Sequence, residues 1–362
     1  MRILRVAQTV YPDVKGGGAY HVHALSRDQA AMGHEVTLVT IRRNSGIPAR
    51  EERAGYTIRR YDPAVTLLGN EISPRLAKSV FDTTGYDVVH AHSHLYFSTN
   101  VAALKRRLGD TPLAITNHGL YSQTAPERVF DYYLRTLGRW TFNRADVVFC
   151  YTDTDRQRLR EFGVSTHINV IPNGIDTSRF CPDGSTSEHI DSDGPALLFV
   201  GRLISGKRPE LAVEALAAVR ESHPEAVLYI CGDGPLRADL SDRANELGVS
   251  RGVQFLGHVP YEKMPAVFRS GDVLLLPSRA EGLPRTVLEA IACGVPVVCS
   301  HLDQLEAVVS GRGTLVNGTE PTEFAEAVRE WLDDGTVDPL GGEHTWATTV
   351  DRTTEQLKSL CS

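Results

Sequence analysis

Ala196-Leu197-Leu198-Phe199-Val200-Gly201-Arg202-Leu203-Ile204-Ser205-Gly206-Lys207-Arg208-Pro209 decides how this chain is organised. Apolar residues run without polar alternation up to a glycine-rich, basic turn, and residues 209–219 then carry helical periodicity. An unbroken apolar run suits a strand buried on both faces of a parallel sheet, and strand, turn and helix in that order are half of a βαβ unit. The order recurs downstream. Strands are expected at 196–201, 226–231, 253–256, 272–277, 295–300 and 313–316, with helices at 209–219, 235–247, 283–292 and 321–332. It also recurs upstream, with strands at 2–9, 35–40, 56–61, 87–91, 113–116, 146–150 and 167–171, and a helix over 19–32 after the turn 12–18. Between the two series, residues 181–194 are rich in Ser, Asp and Gly and read as a linker. The predicted fold is therefore α/β, as two tandem doubly wound, Rossmann-like parallel-sheet domains facing a cleft. Their expected bounds are 1–175 and 176–344, with a terminal helix over 345–362 that packs back on the first domain.

Composition narrows the function. The 362 residues hold 38 Lys and Arg against 45 Asp and Glu, a net charge of −7, so bulk nucleic-acid binding is not expected. Hydrophobic residues are 41% of the chain, yet no run approaches the roughly 18 residues of a membrane span. The opening run Met1–Gln8 is too short for a signal peptide. Six dispersed cysteines form no C-x-x-C pair, and three of them end apolar strands, the usage of a reducing compartment. A cytoplasmic protein is expected.

Three segments could carry chemistry. Gly16-Gly17-Gly18, between the first strand and helix, lets backbone amides approach an anion. It is not a dinucleotide fingerprint, because His21 stands where the last glycine belongs and the second strand closes on Val39-Thr40 without a carboxylate. In the opening stretch, Arg202 and Lys207 set a planar fork and a point charge beside a strand end, a pairing suited to pyrophosphate. Arg208 stands where a Walker A loop needs Ser or Thr. A solvated basic loop accounts for the same residues equally well. The third segment, Ser278-Arg279-Ala280-Glu281-Gly282-Leu283-Pro284-Arg285-Thr286-Val287-Leu288-Glu289, puts one carboxylate in a loop and another about two turns into a helix whose first turn holds Pro284. The amides of Gly282, Leu283 and Arg285 lie at that helix start, which favours an anion. His90, His92 and His94 alternate and could line one side of a strand, but no carboxylate or thiolate accompanies them. No metal is expected there, and a polar acceptor pocket is.

These segments, with Thr116-Asn117-His118-Gly119, Pro172-Asn173-Gly174-Ile175-Asp176, Gly232-Asp233-Gly234-Pro235 and Asp87-Val88-Val89-His90-Ala91-His92, resemble the family 4 retaining glycosyltransferases of the GT-B fold over essentially the whole chain. The resemblance implies transfer of a hexose from a nucleotide-diphosphate sugar, a UDP- or GDP-sugar, to a hydroxyl of a glycan, lipid-linked or small-molecule acceptor. No bound cofactor or metal is implied. Arg202 and Lys207 would neutralise the donor diphosphate, and Glu281 would hold donor sugar hydroxyls. Gly201, Gly282 and Leu283 would border the donor, Glu289 would take its ribose, and Gly17 and Gly18 would admit its diphosphate. His118 would lie near the anomeric carbon, with His21, His92 and Tyr96 on the acceptor side. A lipid-linked acceptor would bring the protein to the inner face of a membrane, and residues 125–142, mixing apolar, aromatic and basic side chains, could rest there. Two other readings compete: a scaffold that keeps the fold without catalysis, and a sugar-nucleotide epimerase of the same fold.

Overall fold

The apolar runs form two sheets. The computed structural model describes residues 1–67, 69–121, 127–191 and 193–361. The strands are β1 (Arg2–Val6), β2 (Glu35–Ile41), β3 (Arg50–Arg53), β4 (Tyr56–Tyr61), β5 (Val65–Leu67), β6 (Asn70–Ile72), β7 (Val88–His92), β8 (Leu113–Thr116), β9 (Val147–Cys150) and β10 (His167–Val170). After them come β11 (Ala196–Val200), β12 (Val227–Cys231), β13 (Val253–Gly257), β14 (Val273–Leu276), β15 (Val297–Ser300) and β16 (Gly313–Val316). The first sheet has the order β10-β9-β8-β7-β1-β2-β4-β3 and the second β13-β12-β11-β14-β15-β16. Every neighbouring pair is parallel except β3 with β4, and β5 pairs with β6 as a separate antiparallel ribbon.

The chain divides into two units, which among the described residues are 1–120, 127–172 and 347–361 for the first, and 121 with 173–346 for the second. Residues 181–191, read as part of a linker, belong to the second unit and lie mostly exposed on it, tied down where Arg269 Nε donates to the Ser185 carbonyl (2.9 Å) and the Ser187 amide to Ser270 Oγ (2.7 Å). Residue 192 of that segment lies outside the described residues. The last helix, Trp346–Ser359, ties its inner face to the first unit through Gln29 Nε2 on Thr354 Oγ1 (2.9 Å) and Asn169 Nδ2 on Gln356 Oε1 (2.5 Å).

Both sheets bury aliphatic side chains on their faces. Leu4, Val6, Val89 and Ile115 face one layer of helices in the first sheet, and Ile3, Val36, Leu38 and Val88 face the other. Leu197, Phe199, Leu228, Ile230 and Leu275 do the same in the second, against Pro209–Val219 and Pro321–Asp334. Each sheet has one point where the strand order reverses, between β1 and β7 and between β11 and β14. The crevice beyond the carboxyl ends at such a reversal is where doubly wound sheets receive ligands. The loop that follows His92 and carries His94, and those carrying Arg202, Lys207 and Glu281, leave the sheets at these two points.

Candidate active site

In the second unit the loop after β11 is fixed by its neighbours. The Gly201 amide donates to the Cys231 carbonyl and the Leu203 amide to the Asp233 carbonyl, both at 3.0 Å. Gly232 sits at φ +152°, and a Cβ there would stand 1.8 Å from the Gly201 carbonyl oxygen. Only glycine lets the loop after β12 lie this close to the loop after β11. Arg202 is exposed on that loop. Lys207 closes the short turn Ser205–Lys207, and its Nζ pairs with Glu281 Oε1, the two side chains 14% and 4% exposed. The Arg279 amide donates to the Gly206 carbonyl (3.0 Å), which fastens the loop after β14 to the loop after β11. Gln304 Nε2 donates to the Glu281 carbonyl at 2.5 Å.

The basic turn is not solvated throughout. Arg208 is buried at φ +47°, donating to the Pro277 carbonyl (2.5 Å) and to Ser300 Oγ (2.6 Å). Burial, then the charge of Arg279, pulls its guanidinium below the usual value. Arg208 thus braces the strand ends from beneath, while Arg202 and Lys207 remain nearer the surface.

The third segment differs from expectation at its helix start. Pro284 is extended (φ −70°, ψ 128°) and precedes the helix Arg285–Ala292 as its N-cap residue, and Leu283, as the residue before a proline, is disfavoured in the helical region. Gly282 and Leu283, both buried, therefore belong to the loop. Asn173 Nδ2 donates to the Leu283 carbonyl (3.2 Å) and Arg285 Nη1 to the Gly174 carbonyl (2.9 Å), so the Pro-Asn-Gly motif braces this loop. Glu289 is 4% exposed; it accepts from Tyr261 Oη (3.0 Å) and lies 3.4 Å from Arg285 Nε one turn earlier. Burial raises its carboxyl above the ordinary range, against the opposing pull of Arg285 and Tyr261.

In the first unit, Gly16 (φ +148°) opens the helix Gly17–Ala31, which begins two residues before the expected start. A Cβ on Gly18 would meet the His118 ring at 3.9 Å, so this glycine lies against that imidazole. His21 is edge-on to His118, ring centres 5.2 Å apart, and His92 stacks on it at 5.4 Å. His92 Nδ1 is 3.1 Å from His118 Nε2, and Tyr151 Oη is 2.7 Å from His118 Nδ1. Beneath them Arg5, fully buried, donates to Ser26 Oγ (2.8 Å), to Gln29 Oε1 (2.5 Å) and to His90 Nδ1 (3.3 Å). His94 Nδ1 donates to Asn117 Oδ1 (3.1 Å), which also accepts the Gly119 amide. Desolvation holds His90 and His92 well below the usual imidazole value, His118 at about 4 and His94 at about 3, and lowers Arg5 to about 9.

Two expected groups are thus brought together: Lys207 with Glu281, and Gly18, His21 and His92 with His118. Tyr96 instead precedes the helix Phe97–Leu108 as its N-cap residue, its carbonyl accepting from the amides of Thr99 and Asn100. The side chains of Tyr151, Tyr261 and Arg5 are not among the expected site residues, and Arg285 is expected only through its backbone amide. Tyr151 directly follows β9, as Asn117 and His118 follow β8, and this strand-end position is the signal that could have drawn attention to it. Among the described residues, the one group whose potential metal-ligand atoms converge is the surface set His301, Asp303 and Glu306. None of the described helices is long and apolar enough to cross a membrane.

Comparison with known proteins matches residues 15–179 to the model described as Glycosyltransferase Family 4, and residues 185–340 to Glycosyl transferases group 1. A glycogen synthase of Mycobacterium tuberculosis is 32% identical over 369 positions, covering 92% of this chain and 86% of the relative. The chain belongs to glycosyltransferase family 4. It is a glycosyltransferase that moves a sugar from a nucleotide sugar, and the loops at the reversal of its second sheet lie in the part matched to group 1. A GDP-mannose-dependent alpha-(1-6)-phosphatidylinositol monomannoside mannosyltransferase of Mycolicibacterium smegmatis is 28% identical, covering 90% of this chain and 87% of that one. Among solved structures, a sucrose-phosphate synthase of Thermosynechococcus elongatus superposes with a TM-score of 0.81 at 20% identity, covering 99% of both chains. Anabaena HepE in complex with UDP-glucose gives 0.79 at 20% identity, covering 99% of this chain and 100% of that one. The glycosyltransferase has the GT-B fold.

Proposed function

We propose that this glycosyltransferase is a metal-independent, retaining hexosyltransferase that takes a UDP- or GDP-sugar and delivers the hexose to a hydroxyl of a glycan, lipid-linked or small-molecule acceptor. The observation that carries the reading is the pairing of Lys207 with Glu281 where the second sheet reverses, on a loop that also bears Arg202. Lys207 and Arg202 meet the donor diphosphate and Glu281 the hexose hydroxyls, beside Gly201, Gly282 and Leu283, while Glu289 takes the ribose. As the bond from the anomeric carbon to phosphate oxygen breaks, negative charge grows on the diphosphate, and fixed cations stabilise that charge more than they stabilise the bound donor. The acceptor oxygen bonds to the anomeric carbon on the face being vacated, and its proton passes to the leaving phosphate oxygen. His118 borders the anomeric carbon, with His21, His92 and Tyr96 toward the acceptor and the Gly17–Gly18 backbone toward the diphosphate. A relative named for GDP-mannose and a similar structure holding UDP-glucose both support a nucleoside-diphosphate hexose as donor.

Titration calorimetry without added metal tests this reading with UDP, GDP, ADP, dTDP and NAD. One nucleoside diphosphate is expected to bind, and at about 100 times its dissociation constant it stabilises the fold by about 2.7 kcal/mol. Binding of neither UDP nor GDP overturns the donor assignment. Inversion of the anomeric carbon in the product would contradict retention.

Peripheral contact with the inner face of a membrane is part of the same proposal. Val129, Tyr132 and Leu137 are 55%, 72% and 43% exposed, alongside the exposed Arg128, Arg135 and Arg139, while Phe130, Leu134 and Phe142 anchor the segment in the first unit. Residues 125 and 126 of the expected stretch lie outside the described residues. Exposed apolar side chains among arginines suit an anionic bilayer surface. Co-sedimentation with phosphatidylglycerol vesicles at low salt is expected, weakening as salt shortens the screening length. No sedimentation at low salt would remove the membrane from the reading.

A further inference from the structure

We propose that Tyr151 and His92 are positioning residues that occupy both ring nitrogens of His118, so that His118 meets its ligand as a fixed, neutral ring and not as an acid or base. The inference rests on the place given to His118 above. It follows from which groups can donate.

Arg5 is a donor only, so His90 Nδ1, 3.3 Å from Arg5 Nη2, must accept. The proton of His90 is then on Nε2, donated to Thr116 Oγ1 at 2.7 Å. The row behind His118 therefore has a defined polarity. At His118 itself, a phenol is a far better donor than acceptor when it faces an imidazole nitrogen. Tyr151 Oη, 2.7 Å away, donates to Nδ1, and this leaves the His118 proton on Nε2. That proton goes to His92 Nδ1, 3.1 Å away, and His92 carries its own on Nε2, an atom buried without a protein partner among the described residues.

Among the described residues, the titratable or charged side chains placed around the His118 ring are imidazoles, a phenol and a guanidinium. His21 comes from the helix Gly17–Ala31, His90 and His92 from β7, Tyr151 from the end of β9, and Arg5 lies behind them on β1. None of these brings a negative charge to offset an imidazolium. His21, edge-on at 5.2 Å, and His92, at 5.4 Å, flank the ring. What His118 offers a ligand is thus its face, its edge and its backbone, held in place by two hydrogen bonds.

The test begins with the wild-type protein, its histidines labelled with nitrogen-15, and needs no substrate. Long-range correlation spectra from pH 5.5 to 8 are expected to show His118 neutral throughout, as one tautomer with the proton on Nε2. A proton on Nδ1, or protonation within that range, would overturn the proposal. The Tyr151→Phe variant keeps the ring and deletes the donor. It is expected to fold, to show His118 as a mixture of tautomers, and to release nucleoside diphosphate from UDP-glucose or GDP-mannose about tenfold more slowly, with the donor KM within about twofold. An unchanged tautomer with unchanged turnover would overturn the proposal as well. His118→Ala separates the two levels: if turnover survives it, the role given to His118 under the proposed function is lost, while the spectra still decide whether Tyr151 and His92 hold the ring.

Discussion

Lys207→Ala is expected to lower turnover by about 10²–10³-fold, the loss seen when one pre-positioned charge-stabilising group is removed from a transition state. The same change also breaks an ion pair whose carboxylate is 4% exposed. Leaving Glu281 buried without its cation costs about 3–5 kcal/mol of stability. A fall in activity alone would therefore not distinguish a phosphate-binding lysine from one that merely props up the loop. Glu281→Gln separates them, because it breaks the same pair from the other side. A purely structural pair would make both variants lose nucleoside-diphosphate affinity alike. If Lys207 meets phosphate and Glu281 meets sugar, only Lys207→Ala loses affinity for the diphosphate, and Glu281→Gln loses turnover of the whole donor. Calorimetry with UDP or GDP, checked by melting curves, reads the difference. Equal losses in both variants would remove Lys207 from the phosphate site.

Acid is expected to unfold the first unit before the second. His90, His92, His94 and His118 are neutral in the fold and become protonated on unfolding once the pH drops below about 6.5. Below that pH the unfolded chain binds more protons, so stability is complete above it and is lost as the pH falls toward the folded values, about 4 for His118 and about 3 for His94. At pH 5 each ring costs about 2 kcal/mol, or about 8 for the four, comparable with the 5–15 kcal/mol that a native protein typically has. Glu289 works the other way in the second unit. Its carboxyl is raised by burial, so acidification relieves the cost of keeping it charged. Denaturant melts at pH 7.5 and 5.0, followed by a probe in each unit, should show the first transition collapsing and the second holding. A first-unit midpoint that does not move between these pH values would contradict the buried neutral rings.

The sequence by itself determined the alternation of strand and helix, the two-sheet plan, the family and most of the residues at the strand ends. Strands such as β4, β8 and β16 and the helix Pro209–Val219 match their expected bounds, because apolar runs, glycine and proline act over a few neighbouring residues. The β3 strand, Arg50-Glu51-Glu52-Arg53, escaped that reading. It is charged throughout, and it becomes a strand only because β4 offers an antiparallel edge.

What the tertiary structure decided is which of those strand ends meet. Lys207 reaches Glu281 across 74 positions of sequence, and His118 is held by His92, 26 before it, and Tyr151, 33 after it. No spacing rule links such residues. Lys207 meets Glu281 because β11 and β14 are neighbours where the strand order reverses, and the His118 group meets because β7, β8 and β9 lie side by side, an order set by how whole layers pack. Burial was decided in the same way. Arg5 and Arg208 both lie inside, because the packing of helices and strands places acceptors around them: Ser26, Gln29 and His90 for one, Pro277 and Ser300 for the other. The charge state of the histidines follows from that enclosure. An imidazole row is neutral or charged according to whether carboxylates or water surround it, and only the packed fold determines that.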